Sequence, residues 1–153
     1  MGRGMMRKKF ESSFEMDKPA GLLFPLFSAE GEKLWVPDWD YIEVLEGKEL
    51  HEDYVFMTKN HDFATTNAIW LVKRYEPSNY FVQFYKVEPE DKIAIVSVTC
   101  QASGPQKTQV VVVYDYIALS DKGCDFIDDH SEADYEDFIG QWKMLLEKYF
   151  AGK

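Results

Sequence analysis

Residues Thr108 to Leu119 read TQVVVVYDYIAL, and Ser131 to Tyr149 read SEADYEDFIGQWKMLLEKY. In the first stretch Val110, Val112, Tyr114 and Tyr116 fall on one face, and Val111, Val113, Asp115 and Ile117 on the other. This is the period of a strand. Twelve residues at strand rise span about 40 Å, so the strand must bend to stay on a small domain. The second stretch opens with Ser131-Glu132-Ala133-Asp134, a capping box. Tyr135, Phe138, Ile139, Trp142, Leu145, Leu146 and Tyr149 then recur at spacings of three and four, one apolar stripe on a helix of about 19 residues and about 28 Å. Such a stripe must be buried, and the large apolar surface available is the inner face of a curved sheet.

The rest of the chain supplies that sheet. Phe10, Ser12, Phe14 and Met16 alternate with Lys9, Glu11, Ser13 and Glu15, a half-buried first strand. Asp17-Lys18-Pro19 starts a short helix, Pro25 interrupts the apolar run that follows, and a second short helix runs through Ser28 to about Leu34. Further strands are expected at about Tyr41–Leu45, Tyr54–Thr58, Thr65–Tyr75, Tyr80–Val87, Lys92–Cys100 and Thr108–Leu119. The links are short and turn-rich, as in Glu76-Pro77-Ser78-Asn79 and Glu88-Pro89-Glu90-Asp91, so the neighbours are antiparallel. Ser120 caps a short helix from Asp121. The fold class is α+β: two short helices after strand 1, and a curved antiparallel seven-stranded sheet wrapped around a long C-terminal helix.

A chain of 153 residues is the size of one domain. Residues 1–6 are expected to be a disordered tail and 7–153 the domain. Aromatic residues make up 16% of the chain, a share that implies a bulky core or a lined cleft. The net charge of -10 argues against nucleic acid and against anionic membrane as the main partner. The basic run Arg3, Arg7, Lys8 and Lys9 reads as a solvated terminus. No stretch approaches the roughly 18 apolar residues of a membrane span, so no integral membrane association is expected. No secretory h-region follows the start, and Cys100 and Cys124 make no disulfide framework; the expected location is cytoplasmic.

The segments Phe24-Pro25-Leu26-Phe27-Ser28, Gly31 to Asp40, Trp70 to Pro77 and Val110 to Ser120, with Trp142, carry a resemblance over about Arg7 to Phe150. The chain resembles the START-like or SRPBCC superfamily, which includes polyketide cyclase/dehydrase-like proteins and has the helix-grip fold. The resemblance implies a deep cavity between sheet and helix that usually takes hydrophobic ligands. It implies no particular ligand, and the superfamily shares no catalytic motif.

By alternation and by this resemblance, the cavity face takes Phe81, Gln83 and Tyr85 from one strand, Ala94, Val96, Val98 and Cys100 from the next, and Val110, Val112, Tyr114 and Tyr116 from the last. Trp70 is assigned inward; Tyr75 has the opposite parity, which a bulge reconciles. The helix adds Phe138, Trp142 and Leu145. The expected ligand-binding set is Trp70, Phe81, Gln83, Tyr85, Val98, Val112, Tyr114, Phe138 and Trp142. Apolar walls with a few placed polar groups suit a small hydrophobic or aromatic molecule, and a filled aromatic core is the bland alternative. Gln83 is the expected polar anchor.

Other chemistry is thin. His51, His61 and His130 have no ligand spacing, no glycine-rich phosphate loop exists, and no metal or cofactor is expected. Asp128 to Asp134 reads as an acidic helix start. Two alternatives to a binding module stand: a cyclase/dehydratase-type enzyme, weakened by the lack of a carboxylate or histidine on the assigned face, and a protein-partner or chaperone-regulator module. Val111, Val113 and Ile117 on the outer face allow a homodimer.

Overall fold

A computed structural model of the chain describes residues 6–59 and 67–153. The long final strand and the capped final helix lie where their patterns put them. β1 (Arg7–Met16) pairs antiparallel with β7 (Lys107–Ala118), and the sheet order is β1-β7-β6-β5-β4-β3-β2, with β2 (Ile42–Glu43), β3 (Val55–Thr58), β4 (Ala68–Glu76), β5 (Phe81–Glu88) and β6 (Lys92–Gly104). Every ladder is antiparallel. After β1 come α1 (Ala20–Leu23) and two 3-10 turns, Phe24–Leu26 and Gly31–Leu34. The second short helix is therefore shorter than the expected Ser28–Leu34. Gly31 lies so close to the Pro25 carbonyl that a Cβ there would stand 2.2 Å from its oxygen, so this position requires glycine.

α2 (Asp121–Asp129) and α3 (Glu132–Ala151) follow β7. The Ser120 hydroxyl accepts from the Gly123 amide, and the Ser131–Asp134 capping box closes in both directions. The α3 stripe grips the sheet. Tyr135, Ile139 and Leu146 are fully buried, Tyr135 stacks on Phe10 at 5.2 Å, and its hydroxyl donates to the Val112 carbonyl at 2.7 Å.

Three expectations change. Of residues 1–6, Met6 is held to the sheet, its carbonyl accepting from the Ala118 amide; the other five lie outside the described residues. Arg7, Lys8 and Lys9 belong to β1 rather than to a solvated tail, and Arg7 forks onto Asp115 at 2.7 and 3.0 Å. The largest change concerns β5. Val82 pairs with Val98 and Phe84 with Val96, so these residues share the inner face. Phe81, Gln83 and Tyr85 lie on the outer face, and Gln83 donates to Ser97 on that side at 3.0 Å. Their aromatic character misleads because cations cover it: Arg74 lies over Phe81 and Lys73 over Tyr85.

In β4 the ladder shifts register between Val72 and Arg74. This bulge lets Trp70 point inward although Tyr75 has the opposite parity. Residues 65–66 of the expected strand, and His61, lie outside the described residues.

Candidate functional site

The correct parity of β5 puts Lys86 and Glu88 on the inner face, in line with Val82 and Phe84. Two cavities open off this face, one toward α3 and the segment that follows α1, the other toward α2, His130 and the start of α3. The larger is a cleft of about 520 Å³ walled by Trp35, Trp39, Trp70, Tyr114, Phe138 and Trp142, with Glu32 and Lys86 as its ionisable groups. The smaller, about 280 Å³, is lined by Lys86, Glu88, Lys92, Tyr114, Tyr116 and His130, together with apolar side chains. Lys86, Tyr114 and Phe138 line both and form the partition between them.

The aromatic wall is ordered from behind. Trp35 donates its indole N–H to the Leu26 carbonyl at 2.8 Å, Trp39 to the Ala29 carbonyl at 2.8 Å, and Trp70 to the Thr58 hydroxyl at 2.9 Å. With their polar handles bonded into the fold, these rings offer the cavity their apolar surface. Phe56 stacks behind Trp70 at 5.6 Å, and Trp142 meets Trp35 edge-on at 5.8 Å. Among the described residues the Trp142 indole and the Tyr114 hydroxyl have no hydrogen-bond partner. They are the donors the large cavity leaves unused.

Glu32 enters this wall from the Gly31–Leu34 turn. The Ser28 hydroxyl bridges the Pro25 carbonyl and the Gly31 amide, both at 2.9 Å, which sets the turn against the helix that precedes it. The residue is partly exposed, yet its carboxyl sits inside the cavity. Burial raises its pKa to about 8, against the opposing pull of the Lys86 charge. Burial also pushes the Tyr114 phenol well above its ordinary value.

The smaller chamber is the more polar of the two, although Ala94, Phe126 and Phe138 also line it. Glu88 is flanked by Lys92 at 2.7 Å and Lys86 at 3.3 Å. The two ammonium groups overcome the desolvation of Glu88 and hold its carboxyl below the usual range. His130 ends α2, with its ring stacked on Phe126 at 5.0 Å and edge-on to Phe10 at 5.1 Å. Its Nε2 is buried without a hydrogen-bond partner, and burial lowers its pKa, which favours the neutral imidazole.

Of the residues expected to bind ligand, Trp70, Tyr114, Phe138 and Trp142 line the large cavity. Val98 and Val112 are on the inner face but lie in the solid core beneath it. Phe81, Gln83 and Tyr85 are on the wrong side of the sheet. Glu32, Lys86, Glu88, Lys92 and His130 escaped the sequence reading. Charges on a strand pattern as solvent-facing, and the phase of Ala94, Val96 and Val98 carried across the ladder was the signal that could have found Lys86 and Glu88. Cys100 is buried on the inner face with its thiol pushed up to about 12, which makes it a packed group rather than a nucleophile.

The fold is shared with solved structures. The fold is the START-like helix grip. Ginseng major latex-like protein 151 from Panax ginseng is similar to this chain at 17% identity, covering 94% of this chain and 97% of that one, with a TM-score of 0.67. The protein Ara h 8.0201 is similar at 11% identity over 94% and 95%, with a TM-score of 0.66. Norcoclaurine synthase from Thalictrum flavum, solved with dopamine and hydroxybenzaldehyde, is similar at 9% identity over 77% of each chain, with a TM-score of 0.58. No protein-family model matches the chain, and no curated protein matches its sequence. None of the helices among the described residues is long and apolar enough to cross a membrane.

Proposed function

We propose that the protein binds a small hydrophobic or aromatic molecule in the large cavity between the sheet and α3. One observation carries this reading: about 520 Å³ of space walled by Trp35, Trp39, Trp70, Tyr114, Phe138 and Trp142. That volume lies within the range of sites for small organic ligands, and the few polar groups, Glu32, Lys86 and the Trp142 indole, are of the number that orients one. The named ligands of the Thalictrum flavum synthase are small aromatic molecules of matching size class. A protein partner draws less support, because Val111, Val113 and Ile117 are half-buried and flanked by the Arg7–Asp115 pair. A thermal-shift screen against aromatic metabolites and lipids, with native mass spectrometry of the purified protein, tests the reading. Stabilisation by ring compounds and loss of it in Trp70→Ala is the expected result; no stabilisation by any compound and no copurified ligand overturns it.

A second reading is favoured by Glu32. A carboxyl poised near pH 8 beside Lys86 and Tyr114 suits proton transfer to or from a bound hydrophobic substrate, as a cyclase or dehydratase requires. Deuterium wash-in from heavy water at the carbon next to an aryl ketone carbonyl reads this directly. Catalysed exchange that is lost in Glu32→Gln supports an enzyme, and exchange at the uncatalysed rate refutes it for this class of substrate.

A further inference from the structure

The smaller chamber has a chemistry the large cavity lacks. Its charged lining groups are Lys86, Lys92 and Glu88, so one positive charge is left over in a chain that carries -10 in total. Glu88 already serves both ammonium groups, at 3.3 and 2.7 Å. Asp91 touches Lys92 at 3.4 Å but stands outside the lining, where Lys122 also holds it at 3.6 Å. A further cation closes the wall behind His130: Lys8 donates to the His130 carbonyl at 3.4 Å. Asp134, in the first turn of α3, is the acid whose charge acts on the His130 ring, and its carboxylate is bonded to the Ser131 amide at 3.0 Å.

The chamber also has unused hydrogen-bonding capacity. His130 Nε2 is buried and has no partner. Among the described residues the hydroxyls of Tyr114 and Tyr116 have none either. Two phenols and two ammonium groups are donors that line the chamber, and the His130 ring lines it beside them. An array of donors with surplus positive charge matches an oxyanion, and a planar carboxylate accepts from several at once. An amine would add a third ammonium beside Lys86 and Lys92. A purely apolar occupant would leave the buried nitrogen and the hydroxyls unpaired.

Resting on the binding role argued above, we propose that the occupant is a hydrophobic acid: its apolar body lies among the tryptophans of the large cavity, and its carboxylate passes Lys86, Tyr114 and Phe138 to meet His130, Tyr116 and Lys92 in the smaller one. The shared partition suits a body of about one or two rings followed by a short side chain, because Lys86, Tyr114 and Phe138 line both spaces. Lys86 stands over the face of Trp70 at 5.3 Å, beside the path from one space to the other.

Three matched probes test the proposal on the whole protein: naphthylacetate, naphthylethanol and naphthylethylamine, titrated by tryptophan fluorescence and calorimetry. The acid is expected to bind about tenfold more tightly than the alcohol, the worth of one charge-assisted hydrogen bond, and the amine more weakly than either. Tyr116→Phe and His130→Gln should each lower the affinity for the acid several-fold and leave that for the alcohol unchanged. Equal affinity for acid and alcohol, or tighter binding of the amine, overturns the proposal while leaving the hydrophobic site intact. Failure of all three probes to bind also overturns the proposal, while the binding role is decided separately by the thermal-shift screen and the copurified ligand.

Discussion

The Lys86 ammonium stands over the face of Trp70, 5.3 Å from the ring centroid, and pairs with Glu88 at 3.3 Å. One lysine thus links the aromatic cavity to the ionic cluster of the smaller chamber. Its partner Glu88 keeps a second, closer cation in Lys92 at 2.7 Å.

This redundancy ranks two substitutions. Lys86→Met leaves Glu88 paired and should cost about 1 kcal/mol, because the side chain is partly solvated and its ring contact is modest. Lys92→Met removes the closer partner at a site where both side chains are buried; with Lys86 still 3.3 Å from Glu88, it should cost about 2–3 kcal/mol. Urea denaturation of both variants measures the difference; equal costs would show that the two lysines share Glu88 evenly.

Glu32 makes stability fall as pH rises. Its folded pKa of about 8 lies above the ordinary value of 4.5, so the folded state holds the proton more tightly. The protonated carboxyl's contribution is whole below pH 4.5 and is lost as pH climbs through 8. At about 1.4 kcal/mol per pH unit for a fully buried group, the loss is at most a few kcal/mol, since part of the residue meets solvent. Glu32→Gln should be the more stable protein at pH 8.5 and show a flatter profile between pH 5 and 8.5 by chemical denaturation.

The Tyr135 hydroxyl is the polar bond that ties α3 to the sheet, donating to Val112 at 2.7 Å from a fully buried ring. Tyr135→Phe leaves the Val112 carbonyl without this partner and should cost about 1–3 kcal/mol. An unchanged urea midpoint would mean that water replaces the bond.

Two glycines on helices should respond in opposite directions to alanine. A Cβ on Gly123 would stand 2.1 Å from the Asp91 carbonyl oxygen, so α2 must move away from the turn between β5 and β6. Gly123→Ala should destabilise by about 1–3 kcal/mol. A Cβ on Gly140 meets nothing within 4 Å, and Gly140→Ala should stabilise α3 by about 0.5–1 kcal/mol. Thermal denaturation of the pair reads both signs.

The frame was legible from residues alone where one signal spoke without a rival. Four valines and two tyrosines in strict alternation fixed β7, and the Ser131 capping box fixed the start of α3. The inner residues Phe10, Phe14 and Met16 of β1 followed from the same logic. The interior of the site was not legible, for two reasons. Phe81 and Tyr85 pattern as core yet lie outside under Arg74 and Lys73. Lys86 and Glu88 pattern as surface yet lie inside, because each supplies the charge the other needs. Glu32 depends on a tertiary approach, Gly31 against Pro25, that no local periodicity records.

The binding role is tested most directly by a crystal structure of the protein grown with naphthylacetate. Ring density between Trp35, Trp39, Trp70 and Trp142, with the carboxylate directed toward His130, is the result expected. Side chains closing that space, with the compound absent from it or lying on the surface, would contradict the account.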